Sequence, residues 1–276
     1  MRSSIQKTRI APPSGWLAFD LSELWGYREL TYFLVWRDLK VRYKQTLIGV
    51  VWALVQPLLG MVVLSLLFGR LGGLPTDGMP YPLFYYPGLV IWTYFASAVT
   101  SAANSTVQHQ GVITKVYFPR LLLPLAGAMS PAVDLFLALS LLAIITPIFG
   151  GVLHLGTLLF PLFVVMAIAT AFGLGLWLSS LNAVFRDVRH AVPFLIQLWF
   201  LASPIAYSSS IVPAHWKWAY SLNPMAEIVR GFRWSVTGRG PGPDAAIWIA
   251  VGVIVLLLGT GLVVFKRIEN NLADIV

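Results

Sequence analysis

Asp134 is the one ionisable residue in the long stretch from Leu121 to Gly151, and a carboxylate so placed either relays protons, takes a partner, or sits near an end facing water. With no second acid nearby to pass a proton to, the reading favoured here is that Asp134 pairs with a basic group across a helix interface or lies near a span end. Other chemistries lack their residues. No lysine follows a glycine, so the Gly-Lys core of a phosphate-cradling loop is absent. The four histidines, His109, His154, His190 and His215, are scattered among different connectors and offer no convergent metal set. The acids form no Asp-x-Asp cluster of the kind a metal-dependent sugar transferase uses, and the absence of cysteine excludes disulfides, thiolate metal sites and thiol chemistry.

The aromatic residues offer a binding surface instead. The 11 Trp, 10 Tyr and 16 Phe make up 13% of the chain, and Trp52, Trp92, Tyr94, Phe95, Trp199 and Phe200 lie within apolar stretches rather than at their ends. Aromatic faces suit sliding contact with sugar rings, although packing against lipid or other helices is the ordinary use of any one ring. Gln56, four residues after Trp52, and Gln197, close to Trp199, add hydrogen-bonding groups that are costly toward lipid. Trp52, Gln56, Trp92, Phe95, Gln197 and Trp199 are therefore the candidate channel residues.

These residues need elements that thread a bilayer. The chain is 58% hydrophobic and 11% charged, whereas a soluble domain is about 45–50% apolar and about 25% charged. A crossing helix needs roughly 20 mainly apolar residues. The stretches Leu47 to Gly69, Leu89 to Val107, Leu121 to Gly151, Leu155 to Phe185, Ala191 to Tyr207 and Ala245 to Phe265 give an all-α integral membrane protein with six transmembrane helices. The third and fourth are long enough for a tilted or Pro-bent crossing, and the fifth is short but very apolar.

Lys and Arg report the cytoplasmic side of short loops. Arg2, Lys7, Arg9, Arg28, Arg37, Lys40, Arg42 and Lys44 precede Leu47; Lys115 and Arg120, Arg186 and Arg189, and Lys266 and Arg267 fall on the same side. Arg70, Lys217, Arg230, Arg233 and Arg239 are left opposite, so both termini are expected in the cytoplasm. The net charge of +8 follows this topology rather than forming one solvated basic domain, which argues against nucleic acid as a partner. The start of the chain is basic and Pro-containing with no apolar core, so it does not read as a cleavable signal peptide.

The expected organisation is a cytoplasmic lead-in and interface helix over 1–46, a six-span domain over 47–265, and a cytoplasmic tail over 266–276. Residues 1–19 form a loose lead-in, and Asp20 with Glu23 resembles a helix cap. Beyond it Tyr32, Val35, Trp36, Leu39 and Tyr43 share one helical face and Arg37, Lys40 and Lys44 another, as in a basic helix lying in the interface with its rings toward the acyl chains. It serves either as a plain anchor or in collecting an anionic lipid substrate. The connector 108–120 has room for a two-turn helix ended by Pro119, and its exposed Val, Ile, Tyr and Phe favour a docking surface for a soluble partner over a tight turn. In the outer connector, 208–244, Asn223 and Pro224 begin a helix whose Met225, Ile228, Val229, Phe232 and Val236 share a face while Glu227 pairs with Arg230. Trp216, Trp218 and Tyr220 precede it as interfacial rings, giving either short re-entrant helices with a gating role or an interfacial hairpin. No internal repeat suggests inverted halves, so a symmetric channel is easier to build from two copies of the chain.

Five blocks in one order, covering nearly the whole chain, carry a family resemblance: WRDLKVRYKQTLIGVVWALVQPL from Trp36, YPLFYYPGLVIWTYF from Tyr81, ITKVYFPRLLLPLA from Ile113, LNAVFRDVRHAVPFLIQLWFLASPIAY from Leu181 and LNPMAEIVRGFR from Leu222. Together they resemble the membrane subunit of type-two ATP-binding-cassette exporters of lipid-linked polysaccharides, the O-antigen and teichoic-acid permeases. The resemblance implies a homodimer in a bacterial cytoplasmic (inner) membrane, joined by two copies of a separate nucleotide-binding ATPase subunit. ATP and Mg would belong to that partner, leaving this chain without a cofactor and without enzymatic activity of its own. It also implies that Val112, Ile113, Lys115, Tyr117, Phe118 and Arg120 couple to the ATPase. Arg37, Lys40, Arg42 and Lys44 would flank the substrate entrance, and Arg230 and Phe232, in the block from Leu222 to Arg233, would belong to an outer gate, to which the interfacial rings Trp216, Trp218 and Tyr220 are added as candidates. The expected cargo is a polyprenyl-pyrophosphate-linked polysaccharide. An exporter of the same architecture for a small lipid or drug is the alternative, and a proton-coupled carrier using Asp134 is a second.

Overall fold

A computed structural model describes residues 21–44, 49–113, 115–152 and 154–269. The lead-in 1–19, the cap at Asp20, the head of the first stretch at Leu47 and the tail beyond Glu269 lie outside the described residues. Every regular element among the described residues is helical. Two helices precede the first apolar stretch: α1 (Leu21–Gly26) and α2 (Arg28–Tyr43). They are followed by α3 (Val50–Leu64), which continues as a π-helical segment over Ser65–Leu71. Next come α4 (Tyr81–Gln108), the single turn α5 (Gln110–Ile113), α6 (Leu122–Met129) and α7 (Ala132–Ile148). A 3-10 turn at Leu155–Leu159 leads into α8 (Phe160–Val184), then α9 (Val188–Leu201), α10 (Lys217–Ser221), α11 (Pro224–Thr237) and α12 (Ala246–Glu269).

Among the described residues, four helical stretches are long and apolar enough to cross a membrane: Val51–Leu71, Leu122–Ile148, Leu155–Val184 and Ala246–Glu269. The third expected span bends between α6 and α7 at Ser130 and Pro131, because proline leaves a carbonyl of the preceding turn without its usual donor. The second and fifth expected spans look different in the structure. α4 has 28 residues and so reaches about 42 Å. Much of its run of Tyr, Thr, Ser and Asn finds partners inside the protein: the Tyr86 hydroxyl donates to the Ala138 carbonyl at 3.3 Å and the Tyr94 hydroxyl to Ala128 at 3.0 Å, although the buried Tyr85 and Thr106 hydroxyls have none among the described residues. α9 begins before Ala191 and stops at Leu201; its 14 residues span only about 21 Å. The remainder of that stretch, through Tyr207, is a chain of turns around Ser203 and Pro204.

The core is built on α4, which packs along α8, α6, α7, α11 and α3, while α8 also packs along α12. Small residues permit these approaches, since van der Waals contact rather than hydrophobic exclusion holds helices together in lipid. At Gly127 a Cβ would stand 2.9 Å from the Cα of Ala102, and at Gly261 one would stand 2.8 Å from the carbonyl oxygen of Gly173. By contrast, α3 is mostly uncovered: 11% of its span is buried against 44% for α6 with α7, which leaves an apolar face for lipid or a second copy.

α2 has an apolar side that its aromatic stripe concealed. Leu34 is buried with Phe118, Leu122 and Leu123, and Tyr27 and Leu30 pack on the same cluster. Tyr32, Phe33 and Trp36 stay exposed on the other side. The helix is therefore clamped to the protein along one side and presents rings along another. The connector 108–120 contains the one turn α5 instead of the expected two-turn helix, because α4 runs on to Gln108 and Phe118 turns back into that same cluster.

Candidate functional site

A cavity of about 610 Å³ opens between the end of α2, the first half of α3, α4 and the start of α7, lined by Arg42, Tyr43, Trp52, Gln56, Thr93 and Asp134 among others. Asp134 occupies the first turn of α7, where a carboxylate is favoured by the helix dipole. Nη1 of Arg42 donates to Asp134 Oδ2 at 2.5 Å, and the Tyr43 hydroxyl donates to Oδ1. The acid is thus held by a basic group from another helix, the arrangement favoured from the sequence. Neither partner is sealed, since the Arg42 side chain is 32% and the Asp134 side chain 22% exposed. Trp52 is 55% exposed, so it offers a ring surface at this site rather than core packing.

The other residues expected at the entrance lie along the exposed side of α2. Lys40 Nζ sits 5.5 Å from the Trp36 ring centroid, a cation–π placement, and Lys44 is exposed at the end of the helix. Arg37 bonds to Asp38 at 3.3 Å and to Nε2 of His109, whose Nδ1 lies 2.6 Å from the Ser105 carbonyl. His109 is buried at the end of α4, and this desolvation holds its imidazole below the ordinary range; the nearby Arg37 acts the same way, while the Ser105 bond and Asp38 oppose it. α2, the end of α4 and the connector therefore meet at one side chain.

The six expected coupling residues divide into anchors and contacts. Ile113 and Phe118 are buried, whereas Tyr117 is 71% exposed and Lys115 is exposed beside it. Val112 packs on the edge of the same small cluster. The Arg120 backbone N–H donates to Glu269 Oε1 at 3.0 Å and its guanidinium to the Glu269 carbonyl, tying the connector to the end of α12.

The remaining channel candidates gather away from the cavity. Phe95 stacks edge-on with Trp199 at 5.3 Å and lies 5.2 Å from Trp92, which meets Phe200 at 5.7 Å. Phe95 and Trp92 are buried within the protomer, while Gln197 is exposed on α9. The two sequence faces thus do not converge within one chain: Trp52 and Gln56 share the cavity, and Gln197 faces outward elsewhere.

On the opposite flank, Asn223 caps α11 through a 3.0 Å bond from the Met225 N–H, and Gly238 closes it with a left-handed φ of 68°. Phe232 is fully buried, and Arg230 bridges Glu227 and Asp244, its Nη2 2.8 Å from Asp244 Oδ1. The Arg230 hydrogen bonds hold the Asp244 carboxyl below the usual carboxylate range. Trp216 and Trp218 are exposed, and Tyr220 is half-buried.

Arg233 was missed from the sequence. It is buried, with Nε donating to the Phe84 carbonyl and Nη2 to the Pro204 carbonyl, both at 2.8 Å, and its guanidinium lies 3.8 Å from the Phe84 ring centroid. The signal was present: Arg233 follows Val229 by one helical turn, on the apolar row of α11. Missed too was the meeting of Arg42 and Tyr43 with Asp134, which requires α2 to fold over the start of α7.

Apolar helices around a part-polar cavity, with a basic helix against one end, define a multi-pass integral membrane protein. The chain belongs to the ABC-2 type transporter family, whose pattern it matches over residues 29–237. It is 29% identical over 256 residues to the O-antigen export system permease protein RfbA of Myxococcus xanthus, covering 91% of this chain and 97% of that protein. Against the protein of the same name from Klebsiella pneumoniae it is 28% identical over 240 residues, covering 87% and 92%. The polysialic acid transport protein KpsM of Escherichia coli is 22% identical over 195 residues, covering 70% and 75%.

Proposed function

We propose that this chain is the channel-forming subunit of an ATP-driven exporter that moves a polyprenyl-pyrophosphate-linked polysaccharide out of the cytoplasm. The observation that carries the reading is the shared cavity. Arg42 and Tyr43 from the basic interface helix meet Trp52 and Gln56 from α3, so phosphate-seeking and sugar-stacking groups border one space. Relatives named for O-antigen and polysialic acid transport support a glycan cargo.

Two copies of the chain would enclose the path, with the exposed faces of α3 and α9 supplying the join. Two soluble ATPase subunits holding ATP and Mg would dock below, against Lys115 and Tyr117, while Ile113 and Phe118 carry their movement into α2 and α6. Six crossings of an inner membrane with both termini cytoplasmic fit the basic residues, provided α4 crosses inside the protein and α9 crosses with the turns that follow it. α10 and α11 would dip into the outer leaflet as the gate. Mild-detergent purification tests the assembly: a co-purifying ATPase in equal amount, together with a polyprenyl-linked glycan, is expected. Recovery of the chain without any ATPase would contradict it.

A further inference from the structure

We propose that Asp134 is an internal stand-in for the substrate's phosphate. Its carboxylate holds Arg42 and Tyr43 in the cavity wall until a phosphate or diphosphate group displaces it. This deepens the export reading above and rests on it.

The two oxygens of Asp134 are taken separately, Oδ2 by the Arg42 guanidinium and Oδ1 by the Tyr43 hydroxyl. Two oxygens of a phosphate would accept from the same pair of donors, with more charge and a stronger bond to the guanidinium. The cavity beside them, at about 610 Å³, falls within the range of roughly 300–1,000 Å³ found for small-ligand sites. Gln56, Thr93 and Ser97 in its wall offer further polar atoms.

Displacement is cheap here for reasons visible in the molecule. Both side chains are part-exposed and line the cavity, so neither charge is sealed in packed protein when the pair opens. The released carboxylate stays in the first turn of α7, where the helix dipole favours it. The ion pair of Arg230 with Glu227 is the internal contrast: Glu227 is buried, and a group of that kind has nowhere to go. Specificity follows. A neutral lipid cannot replace Asp134, and a lipid carboxylate only exchanges like for like, whereas a diphosphate gains charge by the exchange.

The test uses the full complex with its ATPase subunit in nanodiscs and a fluorescent polyprenyl diphosphate as probe, with inorganic pyrophosphate and unphosphorylated polyprenol as comparisons. Asp134→Asn is expected to bind the polyprenyl diphosphate about two- to fivefold more tightly, the scale of a part-exposed ion pair. Arg42→Gln should weaken binding, and adding Asp134→Asn to Arg42→Gln should tighten binding by less than Asp134→Asn does in the parent, because of the two groups the carboxylate holds only Tyr43 is then left to release. Asp134→Glu should restore the parent affinity. Pyrophosphate competing as well as the lipid would assign the site to the free anion, and competition by the lipid alone to the lipid-linked form; both outcomes retain the stand-in. Unchanged or weaker binding by an assembled Asp134→Asn complex would overturn it, as would failure of both charge-removing variants to assemble, which would make Asp134 a structural ion. If the parent complex binds no polyprenyl diphosphate at all, the export reading itself fails.

Discussion

The indole N–H of Trp199 donates to Oδ1 of Asn223 at 2.8 Å, the same oxygen that accepts from the Met225 N–H to cap α11. The Asn223 amide nitrogen in turn reaches the Ser203 hydroxyl at 3.1 Å. One side chain therefore starts α11 and fastens it to the end of α9. Asn223→Ala should lower the stability of the purified protein by about 1–2 kcal/mol, the worth of a cap with further part-buried hydrogen bonds. Trp199→Phe keeps a ring against Phe95 but loses the donor, and should cost about 1 kcal/mol. Thermal unfolding of both variants in one lipid environment measures this; no loss for Asn223→Ala would contradict the joint.

Tyr117 and Phe118 are neighbours in sequence with opposite surroundings, 71% and 4% exposed. Phe118→Ala opens a void among Leu34, Leu122 and Leu123 and should destabilise by about 3–5 kcal/mol. Tyr117→Ala should leave unfolding unchanged while reducing stimulation of the partner's ATPase. Thermal unfolding and hydrolysis assays on the two single variants separate anchor from contact, and equal behaviour in both assays would refute the division.

His109 predicts a pH dependence. Burial holds its folded-state pKa below the ordinary value of 6.5, so the unfolded chain takes up a proton first as pH falls. Its contribution to stability is complete above about pH 6.5 and declines below it until the folded form also protonates. Protonation sets the ring against Arg37, and Asp38, 3.9 Å from Nε2, offsets only part of that. The unfolding temperature should drop from pH 7.5 to 5.5, and His109→Gln should flatten the drop. An equal drop in that variant would place the effect elsewhere.

What could be read from the sequence was what a single segment decides. The capped helix after Asn223, the Glu227 pairing with Arg230, and the bend in the Leu121 to Gly151 stretch each depend on residues within a turn or two of one another. Asp134 could be read as paired, but Arg42 could not be named, since the two are joined only by α2 folding across the start of α7. Periodicity assigned α2 one apolar face, and its second, through Leu30 and Leu34, became visible only with Phe118 seated on it. α4 is a central helix despite its hydroxyls because carbonyls of neighbouring helices take those of Tyr86 and Tyr94, and hydropathy carries no information about such partners.

The absence of cysteine lets single replacements report topology. Tyr117→Cys and Trp218→Cys both replace exposed side chains, 71% and 66% accessible. In intact cells an impermeant maleimide should label position 218 and should reach position 117 only after the membrane is opened. Labelling of 117 from outside would invert the arrangement.

Sealed vesicles containing the purified chain, its ATPase subunit and a polyprenyl-diphosphate-linked glycan measure the activity itself. Glycan should cross only with hydrolysable ATP, and crossing should fall at least tenfold in Arg42→Gln and Trp52→Ala complexes that still assemble. Glycan that stays put while small amphiphiles cross, or that moves without ATP, would contradict the assignment of this chain to polysaccharide export.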